Sequence, residues 1–377
     1  MSGVAGERWS ESTALEAWQL VLQMLGDTTA MVRSEAETEL ELVEGLRVIA
    51  RVAALCSEVS LDVDPECPWF FSMNTEVRLI GGPNPDGEYH LAMIDGRLRY
   101  RVSGDRNSVT YLGFQVLAGT GLAPRRMAAH VSDRDLAVDA SGRFSLVLAT
   151  EEPAADELDG ATWVAVPPDA SAIVVRQYIA DRASETPARL AIESLDQPGR
   201  PSPPTDSLVA GQLTAMAWTI AKLTTLHKTV RPELLERPNR LLTAEAAELG
   251  GDNTTPDNLY MMGTFRLAGG ESLVLEIEPP ETRYWSVTIE NIWHECIDTR
   301  RRTTSLTNAG AIRRGDGTVR VVISATEPEE EPGAVNWLDT GGRHRGFVML
   351  RWLDNPSPPV VLTSLLARPA GRVAGRP

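Results

Sequence analysis

Ser141-Gly-Arg-Phe-Ser-Leu-Val-Leu-Ala-Thr150 recurs, one residue longer, as Asp316-Gly-Thr-Val-Arg-Val-Val-Ile-Ser-Ala-Thr326. Each stretch is a Gly-containing turn followed by a short aliphatic run, the pattern of a strand leaving a tight turn. Its return in the other half of the chain is what decides the fold. Working outward, Pro85-Asp-x-x-Tyr89 answers Pro256-Asp-x-x-Tyr260, and Tyr111-Leu-Gly-Phe-Gln-Val116 answers Tyr284-Trp-Ser-Val-Thr-Ile289. Trp163 answers Trp337, Arg176 answers Arg351, and Ser194-Leu195 answers Ser364-Leu365, with the offset held between 170 and 176 throughout. A nearly constant offset preserves strand lengths, so the pattern predicts two sandwich-like β units in tandem with one strand order.

Helices are expected around these units. Ser10 or Ser12 caps a first helix through Leu15, Trp18, Leu22 and Leu25, with Gly26 as its stop. A second covers residues 29–58. Its acidic middle, Glu35, Glu37, Glu39, Glu41 and Glu44, reads as a solvated face over a packing stripe of Leu40, Val43, Leu46 and Ala50. Pro198, Pro201, Pro203 and Pro204 mark a linker, and Val209, Leu213, Met216, Ile220 and Leu223 line one side of a helix after it. The resulting division is N-terminal helices over 1–60, a first sandwich over 61–195, linker and helix over 196–250, a second sandwich over 251–366, and a disordered tail over 367–377.

With 36 basic and 52 acidic residues the chain carries a formal charge of −16, so nucleic acid is excluded as a partner: the mean field repels a polyanion, and no basic block compensates. No apolar run reaches the roughly 20 residues of a membrane helix, and Met1-Ser-Gly-Val-Ala-Gly lacks the features of a leader, so the expectation is a cytoplasmic protein without membrane partners. Cys56, Cys67 and Cys296 are irregularly spaced, which points to free thiols and to no metal site. The sequence leaves the cofactor and the oligomeric state unknown.

The run Gly82-Pro-Asn-Pro-Asp-Gly-Glu-Tyr-His-Leu-Ala-Met-Ile-Asp-Gly-Arg97 resembles the N-terminal part of a mainly actinobacterial protein group whose C-terminal half is catalogued as domain of unknown function 1214. The resemblance continues in Pro279-Pro-Glu-Thr-Arg-Tyr-Trp-Ser286, in Asn336-Trp-Leu-Asp-Thr-Gly-Gly-Arg-His344 and in Arg351-Trp352, and spans roughly residues 60 to 366. It implies a mainly β fold with a helical N-terminus and a linker helix, arranged as two tandem jelly-roll-like β-sandwiches. Related proteins pair this domain with domain of unknown function 1254. The resemblance brings no reaction with it, and fold alone supplies none.

Candidate chemistry lies in the second half. His294 is followed by Glu295, Cys296 and Asp298, an imidazole with carboxylates near enough to orient it for acid–base work, and His344 closes the polar loop that begins at Asn336. Trp285, Trp293 and Trp337 are read as the walls of a pocket, with Asn336, Arg283 and Arg351 orienting a ligand or stabilising an oxyanion. The function expected is that of a hydrolase-like, metal-independent enzyme acting on a small amphipathic molecule, with His294, His344 and Arg351 as its catalytic groups. The alternative is a non-catalytic sandwich that stacks sugar or aromatic rings on its tryptophans. A row of Trp on an open sheet face would favour binding, and an enclosed histidine would favour catalysis.

Overall fold

A computed structural model describes residues 9, 11–119, 125–196, 203–244, 249, 251, 254–329, 335–354 and 357–367. The expected tail beyond Ala367 and most of the Pro-rich linker lie outside these residues. Among the described residues the α-helices are α1 (Thr13–Glu35), α2 (Glu39–Leu61), α3 (Ala155–Leu158), α4 (Asp206–Thr224) and α5 (Pro232–Glu236). Ser12 caps α1 as expected, its side chain accepting from Leu15 N. Gly26 is no stop, because α1 runs on to Glu35. The break comes where Ala36 turns extended and Thr38 accepts from Glu41 N to start α2. Ala17, Val21 and Val32 of α1, Val48, Val52 and Cys56 of α2, and Leu213, Met216, Ala217 and Ile220 of α4 bury one another in a helical layer. Among the described residues no helix is long and apolar enough to cross a membrane.

The first half holds β1 (Phe71–Ser72), β2 (Gly87–Met93), β3 (Tyr100–Asp105), β4 (Tyr111–Ala118), β5 (Arg126–Ser132), β6 (Arg143–Ala149), β7 (Thr162–Ala165), β8 (Ala170–Tyr178) and β9 (Arg189–Ser194). The second holds β10 (Arg240–Thr243), β11 (Asn258–Arg266), β12 (Glu271–Glu278), β13 (Trp285–Glu290), β14 (Ser305–Thr307), β15 (Val319–Ser324), β16 (Asn336–Asp339), β17 (Arg345–Leu353) and β18 (Val360–Ala367). In the first half the sheets run β1-β2-β8-β4-β5 and β7-β6-β3-β9; in the second they run β10-β11-β17-β13-β14 and β16-β15-β12-β18. The strand order is therefore the same in both halves. Registers agree in detail: Trp163 sits opposite Val147 and donates its indole N–H to Ala149 O at 3.3 Å, while Trp337 sits opposite Val322 and donates to Ser324 O at 3.2 Å. Each half has a core drawn from both of its sheets, around Phe114, Phe144 and Ile173 in one and Trp285, Trp352 and Val321 in the other. The arrangement is sandwich-like.

The central strands of the five-stranded sheets, β4, β8, β13 and β17, are buried on both faces, and the faces turned from the cores carry five of the six tyrosines, Tyr89, Tyr111, Tyr178, Tyr260 and Tyr284. Tyr178 stacks between Tyr111 and Tyr284 at 5.0 and 5.1 Å. The Pro-Asp loops cross over. Asn84 Nδ2 donates to the Tyr284 hydroxyl at 2.7 Å and Ser305 donates to Asp86; in return the Tyr111 hydroxyl donates to Asp257 at 2.8 Å, and Thr255 bonds Tyr178 at 2.6 Å.

The acidic stretch of α2 is not a solvated face. Glu41 and Glu44 are buried, whereas Leu40, Val43 and Leu46 are exposed. Arg345 pairs with Glu41 and Glu37 at 2.7 Å each, Arg266 with Glu37 at 3.0 Å, and Arg343 with Glu44, so the carboxylates dock the helix onto the second half. Acidic composition alone cannot distinguish solvent from a distant row of arginines. The Arg266 hydrogen bond, with His344 and Arg345, lowers the Glu37 pKa to about 2.

Candidate functional site

At the end of β13 the chain turns back on itself. Asn291 Oδ1 accepts from Trp293 N at 3.0 Å and from Glu295 N at 3.1 Å, a local side-chain turn that leaves His294 in the left-handed region with φ of 55°. The turn swings the imidazole over the strand it has just left. His294 Nδ1–H donates to Glu290 Oε2 at 2.8 Å, and the ring stacks on Phe347 with centroids 3.9 Å apart. Glu290 has no exposed surface, and its Oε1 has no hydrogen-bond partner among the described residues. His294 keeps 8% of its side-chain surface open.

The loop that precedes β2 covers the pair. Gly82 N donates to His294 O at 2.9 Å, and Cys296 N to Leu79 O at 2.9 Å. Gly82 has φ of 67°, a backbone conformation that glycine adopts without strain, and a Cβ there would only touch Glu290 Oε2 at 3.5 Å and His294 Nδ1 at 3.8 Å, so the backbone and not the packing favours glycine. Arg351, buried, donates to Gly82 O at 2.8 Å and lies 3.4 Å from Thr288 Oγ1. Burial opposes its charge, but Tyr89 and Glu290 outweigh that and push its pKa up. Burial pushes the Cys296 thiol well above its usual range, and its Sγ donates to Pro83 O at 3.4 Å, so it is a poor nucleophile. Asp86, nearby, is also pushed up by burial.

Two of the sequence candidates, His294 and Arg351, thus meet around Glu290 and Gly82. The partner of His294 is Glu290 and not Glu295 or Asp298: Glu295 turns to Arg51 of α2, and Asp298 pairs with Arg300 at 3.4 Å. Sequence reading passed over Glu290, although a carboxylate closing the run Trp285-Ser-Val-Thr-Ile289 was a visible signal. The tryptophans do not share a pocket. Trp285 packs on Trp352 at 5.5 Å inside the core; Trp293 is buried in the helical layer and donates to Glu41 O at 2.9 Å; Trp337 lies half-buried on the outer face of the other sheet. Asn336 spends its amide on Ile312 and Arg320 backbone groups. Arg283 ties Asp133 to Asp354, both at 2.9 Å, across the two halves. His344, paired with Glu37 at 3.3 Å, lines a separate groove of about 560 Å³ that includes none of residues 285–298.

Residues 263–357, which carry Glu290, His294 and Arg351, match the family described as "Protein of unknown function (DUF1214)", and the match supports that family for the second half. Over most of its length the chain is similar to an uncharacterised protein from Burkholderia cenocepacia, at 28% identity and a TM-score of 0.86, covering 93% of this chain and 96% of that one. A protein from Vibrio parahaemolyticus, at 12% identity and a TM-score of 0.50 with 84% and 97% of the chains covered, shares the fold alone. No curated protein matches the chain.

Proposed function

We propose that the second half is a hydrolase-like acid–base catalyst for a small amphipathic molecule, using its own side chains without a metal. His294 moves the proton, Glu290 orients the imidazole through the Nδ1 hydrogen bond, and Arg351 stabilises negative charge. The observation that carries this reading is the Glu290 Oε1 atom, buried and unpaired beside a histidine held in a left-handed turn. A fold seeking stability alone would satisfy or remove that carboxylate. The enclosed histidine and the absence of a Trp row on either sheet of the second half's described strands favour catalysis over ring stacking. We also read the two halves as copies of one jelly-roll-like unit, on the strength of their common strand order, and the protein as cytoplasmic. A panel of p-nitrophenyl esters and anilides tests the activity. Turnover by the native chain should fall by about a hundredfold or more in Glu290→Gln and His294→Gln, with the fold of each variant checked by circular dichroism. No turnover of any panel member, or turnover that survives both substitutions, would sink the assignment.

A further inference from the structure

We propose that the edge of β18 is a self-association surface, on which the β18 of a second copy of this chain pairs antiparallel, so that the two four-stranded sheets run on as one of eight. Among the described residues β18 pairs with β12 alone, from Glu271 opposite Ala367 to Glu278 opposite Val360, in one unbroken register. Its other side therefore presents the outward N–H and C=O groups of an eight-residue strand. Proteins blunt such an edge with charge, proline or a bulge. Val360-Val-Leu-Thr-Ser-Leu-Leu-Ala367 has none of these.

The first half holds the guarded counterpart. There β9 takes the same place beside β3, and by register its Arg189, Ala191 and Glu193 stand where β18 has Val360, Leu362 and Ser364. Both charges are gone in the second half, and the alanine is replaced by a leucine that is 64% exposed, more than any other large apolar side chain among the described residues. Val360, Leu365 and Leu366 are exposed beside it.

The strand's own pattern names the occupant. Turned about Thr363, an antiparallel copy sets Val360 opposite Leu366, Val361 opposite Leu365, Leu362 opposite Ser364 and Thr363 opposite itself, so apolar meets apolar or hydroxyl on each face. Although the chain carries −16, this ladder brings no charges together. Residues 368–377, which follow directly, supply no such complement, because Pro369, Gly371, Gly375 and Pro377 are poor strand formers. One short ladder is small against the roughly 800 Å² per partner of a standard interface, so the dimer is weak and responds to concentration. This inference is independent of the acid–base reading.

The test is sedimentation velocity of the full chain from low to high micromolar concentration, where the mass should double. Leu362→Lys, at a surface position and with the fold checked by circular dichroism, should raise the dimer Kd about tenfold or more. Leu22→Lys, at an exposed apolar position on α1, should leave it unchanged. A chain that stays monomeric throughout overturns the proposal, as does a dimer indifferent to Leu362→Lys or weakened equally by Leu22→Lys. A dimer that forms only after removal of residues 368–377 would assign the edge to the chain's own end and also overturn it.

Discussion

On the first five-stranded sheet, Leu117 faces Ala172 and packs with Leu91 and Val174; at the same register of the second sheet, Glu290 faces Phe347 beside Met262 and Met349. The neighbours on the adjacent strands stay apolar. A buried carboxylate in such a setting needs a counter-charge and a donor, and the second half supplies both through Arg351 and the His294 turn. The first half keeps the arginine, Arg176, but turns it to the neutral Gln115. A shared frame with one altered charge therefore separates what the fold requires from what a site requires.

The comparison breaks most visibly at the arginines. Arg351→Met leaves Glu290 buried without its compensating charge and should cost about 3–5 kcal/mol, whereas Arg176→Met should cost less. Equal shifts of the urea midpoint would show that Glu290 adds nothing to the role of Arg351. Adding Glu290→Gln to Arg351→Met should recover about 1–3 kcal/mol as a coupling energy. The tryptophans sharpen the same contrast from the core side. Trp285→Ala should lose about 3–5 kcal/mol because the ring is enclosed, and Trp337→Ala clearly less; thermal melts giving the reverse order would return Trp337 to a central packing role. Gly142 and Gly317 are equivalent turn residues, each at φ of 87° with open space around the missing Cβ. Alanine at either should cost about 1–2 kcal/mol, and unequal losses would mean that the turns differ in what they support.

The smallest effect is electrostatic and belongs to the second half alone. The folded-state pKa of Glu37 is depressed to about 2, so its contribution is present above the ordinary carboxylate value of 4.5 and is lost as pH falls toward 2. Since Glu37 is well exposed, the pairs it makes are weak and screened by salt. The acid limb of a stability profile should shift slightly upward in Arg266→Ala, and an unchanged limb would remove Glu37 from the docking of α2.

Much of the architecture was legible because it is written locally. Turn glycines and aliphatic runs announce strands, the steady offset announces the strand order that the two halves have in common, and the stripe from Val209 to Leu223 announced α4. The site was half legible. His294 and Arg351 stood out by type, but they lie 57 positions apart and meet through Gly82, more than 200 positions from either. No spacing rule reaches that far. The tryptophans misled for a related reason: a large amphipathic ring suits a core as well as a pocket, and only packing decides. The carboxylates of α2 found their arginines some 300 residues downstream, where composition gives no hint.

The exchanged Pro-Asp loops carry a consequence for synthesis. Tyr111 and Tyr178 receive their hydroxyl partners from Asp257 and Thr255, so a nascent first half leaves the ribosome with its aromatic face unfinished and waits for some eighty further residues beyond Tyr178 to emerge. During that interval a stacked, polar-edged surface meets water or another nascent chain, the situation in which multidomain proteins misassemble. Fusion or truncation near residue 200 would make the wait permanent.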